Sequence, residues 1–324
     1  MRVLIVALAI ALGLVAQDLR ADPAFWQNEF PRTDFSRSLV ADWSEVRDGG
    51  PGRDGIPALT DPDFVPVADK QGLGAREPVV VLALEGAPAR AYPLRYLTWH
   101  EIVNDTVAGV PVAVTFCPLC NSAPVFDRRL DGAVLTFGVT GKLRHSDMVM
   151  YDRETESWWQ QALGQGIVGV HAGAELVQLP SWVESWADFS GHYPDGLVMA
   201  EPEFHRSYGR NPYVGYDSRD RPYGFFTGEM PPEGIAALSR VVRVGVRGWP
   251  LPRLAAQGVI REAGLVITWR AGSASALDTA RIAAGRDIGA IRVTDDQGRD
   301  VPHDVMFAFA FDALVEGGIW MTGD

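Results

Sequence analysis

YPLRYLTWHEIVND, residues 92–105, lines up without gaps on WPLPRLAAQGVIRE, residues 249–262. Two more blocks follow in the same order. VAVTF at 112–116 resembles LVITW at 265–269, and PSWVESWADFSGHYPDGLVM at 180–199 lines up on PHDVMFAFAFDALVEGGIWM at 302–321. Three blocks in order point to an internal duplication. The second copy is the shorter, mainly opposite residues 128–179. The expected fold is therefore α+β and β-rich: two unequal, internally related halves with short helices packed on antiparallel sheets.

Outward from these blocks the chain divides readily. Residues 1–21 read as a signal peptide, since Arg2 precedes a fourteen-residue apolar run, Val3–Ala16, that is short for a membrane span. Residues 22–75, rich in Pro, Gly and Asp, read as an irregular N-terminal wrap. Residues 76–200 form the first repeat, 201–240 a connecting segment and 241–324 the second repeat. VVVLAL at 79–84 and ARAYPL read as strands. Leu94 to Asp105 reads as one helix, with Tyr96, Trp99, His100 and Val103 on a shared face. PVAVTF at 111–116 is a strand, and a hairpin turns at Asp131-Gly132. Ser181 is the expected N-cap of a helix carrying Trp182, Trp186 and Phe189.

Composition excludes several functions. The formal charge is −12, with no basic stripe to grip phosphates, which removes nucleic acid as a partner. No phosphate loop, dinucleotide glycine fingerprint, nucleophile elbow or His-Glu-x-x-His helix occurs, so no nucleotide cofactor is expected. No later segment is long and apolar enough to span a membrane. The expected location is periplasmic or secreted, with a periplasmic partner or metal donor or acceptor.

Chemistry centres on TFCPLCNS, which holds the chain's two cysteines, Cys117 and Cys120. A Cys-x-x-Cys pair serves as metal ligands, as a redox dithiol with Cys117 attacking and Cys120 resolving, or as a small structural disulfide in a binding or scaffold module. A disulfide closing so short a loop stabilises little. Two ligands are too few for a closed metal site, so others must be recruited. His100 is the first candidate. His145, Met148 and Met150 offer a nitrogen and two thioethers, which favours copper over zinc. Glu101 reads as an exposed or capping carboxylate, and Asp147, Asp152 and Glu154 as loop and turn residues. Pro124 and the hairpin after the motif argue against a thioredoxin fold. The second copy lacks the pair, so the fold does not demand it.

The segments DGIPALTDPDF, ARAYPLRYLTWHEIVND, VTFCPLCNSAPVFDR, LTFGVTGKLRHSDMVMYDRETESWWQQALGQGIVG and LPSWVESWADFSGHYPDG, spanning about 54–196, resemble the bacterial domain of unknown function 3179. The resemblance implies an exported or membrane-associated protein and supplies no activity. It adds Asn104, Asp105, Gly141, Asp152, Ser157, Trp159 and Gln161 to His100, Cys117, Cys120 and Met150 as family-like positions. Asn104, Asp105, Asp152, Trp159 and Gln161 are the expected supporting residues of the site.

Overall fold

The structure, a computed structural model, describes residues 23–323. The segment read as a signal peptide lies outside them. The architecture is a five-blade β-propeller arrangement, not an α+β fold of two halves. The described α-helices are four, each only seven residues long: α1 Leu94–His100, α2 Trp186–His192, α3 Leu251–Gln257 and α4 Ala308–Leu314. Helices this short cover only part of a sheet: Phe189 of α2 joins a cluster with Val79, Val81 and Ala91, and Leu254 of α3 one with Ile260 and Ile267, which leaves much of the sheet area to pack on other sheets.

The first blade has the strand order Trp182–Ser185, Pro78–Leu82, Arg90–Pro93, Leu197–Met199, Phe64–Pro66. The second runs Gln178–Leu179, Val125–Asp127, Val110–Thr115, Ile102–Val107, Leu59–Thr60. The third runs Val46–Asp48, Phe137–Arg144, Asp147–Asp152, Trp158–Gln160, Gln165–Val168. The fourth is Asp304–Phe307, Arg240–Val244, Arg247–Pro250, Ile319–Trp320, and the fifth Val259–Glu262, Leu265–Arg270, Ala290–Asp295. One core cluster joins side chains of the first four, among them Val80, Val114, Phe137, Met150 and Phe307. A smaller one, around Trp249, Ile267 and Val293, joins the fourth to the fifth.

The likeness that the sequence displays is one between blades. In the first and fourth, a hairpin runs straight into a helix, α1 or α3. An edge strand then runs into α2 or α4, and a last strand pairs in parallel with the hairpin. The second and fifth blades share three antiparallel strands. The third blade has no counterpart, so the count is odd and the molecule does not divide in two. Burial is uneven among the sheets: Pro78–Leu82 in the first blade is buried at every residue, as a strand packed on both faces must be, whereas Val259–Glu262 in the fifth buries only Ile260.

Local readings shift accordingly. α1 stops at His100, because Glu101 takes φ +60° and a strand begins at Ile102. Val103 therefore does not share a helical face with Tyr96. The helix expected after Ser181 is instead a strand, and α2 starts four residues later with Ser185 as its N-cap, accepting from the Asp188 amide. The stretch read as an irregular wrap supplies an edge strand to each of three blades. Among the described residues, no helix is long and apolar enough to cross a membrane.

One glycine shows how tightly this stretch is held. Gly141 sits at φ +76° in the bulge between Val139 and Lys142, and its amide plane lies against the 49–52 loop. A Cβ there would lie 1.8 Å from the Pro51 carbonyl oxygen. Gly141→Ala is expected to destabilise the protein by about 3 kcal/mol, from left-handed strain plus a backbone clash. Urea unfolding measures it, and a loss under about 1 kcal/mol would show that the 49–52 loop yields.

Candidate functional site

The Cys-x-x-Cys turn leaves the strand Val110–Thr115 and closes on itself, the Cys117 amide donating to Ser122 O (2.8 Å) and the Ser122 amide to Cys117 O (3.3 Å). It is pinned from outside the second blade. Ser122 Oγ and the Ala123 amide donate to the Asp304 carboxylate, Asn121 Nδ2 donates to Val305 O, and the Phe307 amide donates to Cys120 O. Tyr216 donates its hydroxyl to Leu119 O. The edge of the fourth blade thus fixes the turn, a reason for the fold to bring these distant residues together.

The third blade delivers the third group. His145 and Ser146, both at positive φ, reverse the chain and present Asp147 at the start of its strand. The Cys120 thiol donates to Asp147 Oδ1 at 2.9 Å. Asp147 Oδ2 accepts from Gln160 Nε2 (2.5 Å) and from the Ala162 amide (3.0 Å). The Cys117 thiol points to Ser146 O at 3.8 Å. The Sγ atoms of Cys117 and Cys120 and a carboxylate oxygen of Asp147 lie within 4.8 Å of one another, all buried, and could hold a metal ion.

Burial pushes both thiols above their ordinary value, and Asp147 adds negative charge beside them. Burial likewise pushes Asp147 up. A fourth acid lies close by. Burial, followed by the charge on Asp147, pushes Glu101 up to about 8. No lysine or arginine is bonded to these four groups among the described residues. The buried Arg243 feels the charge on Asp147 but is bonded to Ala162 O, Gln178 Oε1 and Gly245 O instead.

Beside the cluster is a cavity of about 170 Å³, walled by Glu101, Leu119, Met148, Tyr213, Tyr223 and Phe225. Its remaining walls come from the segments around Ile56 and Gly141. Five separate stretches of sequence therefore meet where the two cysteines lie.

The other expected residues divide. His100 is fully buried, with Nδ1 2.7 Å from Pro57 O and Nε2 2.6 Å from the Tyr208 hydroxyl, so both ring nitrogens are engaged outside the cluster. His145 faces Thr227 (3.0 Å) and Glu45 (3.4 Å). Met150 is core, paired across the sheet with Val139 and Trp159, and Met148 is cavity wall. Asn104 clamps the second blade to the third through the Phe137 amide and carbonyl. Asp105 holds Arg90 and Tyr92, and Asp152 accepts from Trp159 Nε1. Gln161 backs the turn, donating to Thr115 Oγ1 and Ser122 O.

Sequence reasoning passed over Asp147 and Glu101. Asp147 stood one residue from a histidine-serine turn, the signal that a side chain is being aimed. Glu101 does close α1 with its backbone, yet its carboxyl is buried rather than exposed.

No curated protein and no solved structure matches the chain. A family model, described as a protein of unknown function (DUF3179), matches residues 53–317, nearly the whole chain. The likeness first visible in the cysteine and tryptophan segments therefore extends through all five blades, and the chain belongs to the DUF3179 family.

Proposed function

We propose that this is an exported metal-binding protein whose ion sits on Cys117, Cys120 and Asp147. One observation carries the reading: three buried acidic ligand atoms converge within 4.8 Å with no bonded cation. Buried like charges are costly, and each prefers to hold its proton until a cation replaces it. Two thiolates suit Cu(I) or Zn(II). The carboxylate is a harder donor and moves the balance toward a divalent ion, zinc before copper. The export reading rests on the apolar N-terminus.

The redox reading is weaker on the same geometry. A reactive thiol needs a lowered pKa and access, whereas both thiols here are enclosed and pushed up.

The test is metal analysis and thiol titration on protein purified under non-reducing conditions. About one ion per chain with both thiols unoxidised supports the reading, and no metal with a disulfide removes it. A pH dependence follows. The ligands bind as anions but are protonated without metal, so loading releases protons. Both thiols are pushed above their ordinary value, so affinity is expected to fall about tenfold per pH unit for each proton released as pH drops through the neutral range. The metal-free protein runs the opposite way. The folded state holds the Glu101 proton up to about 8 and the unfolded chain loses it near 4.5, so stability declines as pH rises between those values. Urea midpoints at pH 5 and pH 8, with and without metal, check both signs.

A further inference from the structure

We propose that the cavity beside the cysteines binds a small organic amine, held by the Glu101 carboxylate. The backbone of Glu101 is the first argument. Its φ and ψ are +60° and −32°, a region that L side chains avoid. At the same point of the fourth blade, after α3, stands Gly258 at +73° and −38°. Each residue donates its amide four residues back, to Leu97 O and Leu254 O. The turn is therefore built for glycine, and the first blade carries strain to place a carboxyl there. Strain of this kind clusters at functional sites.

The surroundings specify the ligand. Glu101 lines the cavity and is more than nine-tenths buried, and its carboxyl has no hydrogen-bond donor or cation among the described residues. Lys142 is also in the wall, but its ammonium is held by Glu29 (3.0 Å) and Asp48 (3.3 Å). With Lys142 paired, the wall offers no free cation to an anion among the described residues. Tyr213, Tyr223 and Phe225 bring aromatic rings to the same space. A carboxylate among aromatic rings matches an ammonium group on an apolar stem. A volume of about 170 Å³ is roughly that of six waters, enough for an amine of about four carbons. None of this depends on metal at the cysteines.

The experiment titrates n-butylammonium, n-butanol and butyrate into metal-free protein at pH 8.5 by calorimetry, then repeats it with metal-loaded protein. Saturable binding of the amine, at least tenfold tighter than either analogue, is expected. Glu101→Gly should lose that binding at least tenfold. It should also melt higher, by about 2–4 °C, because it adopts the cap that Gly258 already uses. Absence of amine binding, equal binding of butanol, or unchanged affinity in Glu101→Gly would each overturn the proposal. So would loss of metal without any response to amine, which would make Glu101 a ligand instead. Failure of the metal reading shows separately, as an absence of metal in a protein that still takes up the amine.

Discussion

Cys120→Ser is expected to lower metal affinity about a thousandfold, or about 4 kcal/mol. That exceeds the 10–100-fold lost when an outer-shell partner is removed, because here a ligand atom itself changes. A serine hydroxyl does not ionise near neutrality, and its oxygen sits closer to the backbone than sulfur does. The Cys120 sulfur lies 2.9 Å from Asp147 Oδ1, so its loss breaks the cluster where the two blades meet. The metal-free protein should barely notice. A serine hydroxyl still donates to Asp147 Oδ1, and the turn keeps its anchors at Asp304, Val305 and Tyr216. The expected stability change is within about 1 kcal/mol. Competition against a chromophoric chelator reads the affinity, and urea unfolding of the apo form reads the fold. Unchanged affinity would remove Cys120 from the ligand set. A large apo destabilisation with unchanged affinity would make the pair structural.

Much of the centre was legible in the sequence, and much of its setting was not. The cysteine pair announces itself, since the chain's two cysteines stand three residues apart in one short segment. Asp147 was hidden because a carboxylate in a polar run looks like any turn residue. Only the positive-φ pair before it gives it a direction. His100 illustrates the converse. It lies near the cysteines in sequence, but α1 turns it toward Pro57 and Tyr208. Periodicity misled at 94–105, where a helix of two turns followed by a strand imitated one longer helix. Glu101, in the disallowed region between them, is the break that the pattern could not show. The blades escaped for a related reason. Their strands are two to eight residues long, and the edge strands come from remote segments such as 46–48, 59–60 and 178–179. A repeat of hairpin plus helix is visible along the chain, whereas the number of sheets that it builds depends on pairings between those segments.

Asp217→Ala is expected to destabilise the protein by about 3–5 kcal/mol, the cost of leaving a buried cation without its partner. Asp217 sits in the short helical turn Tyr216–Ser218, and its Oδ2 accepts from Arg240 Nη2 (3.0 Å) and Ser275 Oγ (2.5 Å), with Arg286 at 3.0 Å. Arg240 and Asp217 are both sealed from solvent, and burial pulls the Arg240 guanidinium down from its ordinary value. Removing the carboxylate leaves that charge with neutral neighbours, the Phe307 ring, Asn121 Oδ1 and Ser275 Oγ. The consequence reaches the cavity. The same segment carries Tyr213, Tyr223 and Phe225 into the wall, and Asn121 belongs to the cysteine turn. Urea unfolding measures the loss, and hydrogen exchange should show faster opening of residues 208–226 than of the third blade. A loss under about 1 kcal/mol would mean that Arg240 finds other acceptors and that this ion pair does not hold the wall in place. Faster opening with metal affinity kept would separate the two parts of the site. The ion would then depend on Cys117, Cys120 and Asp147 alone, and the aromatic wall would matter only to what enters beside it.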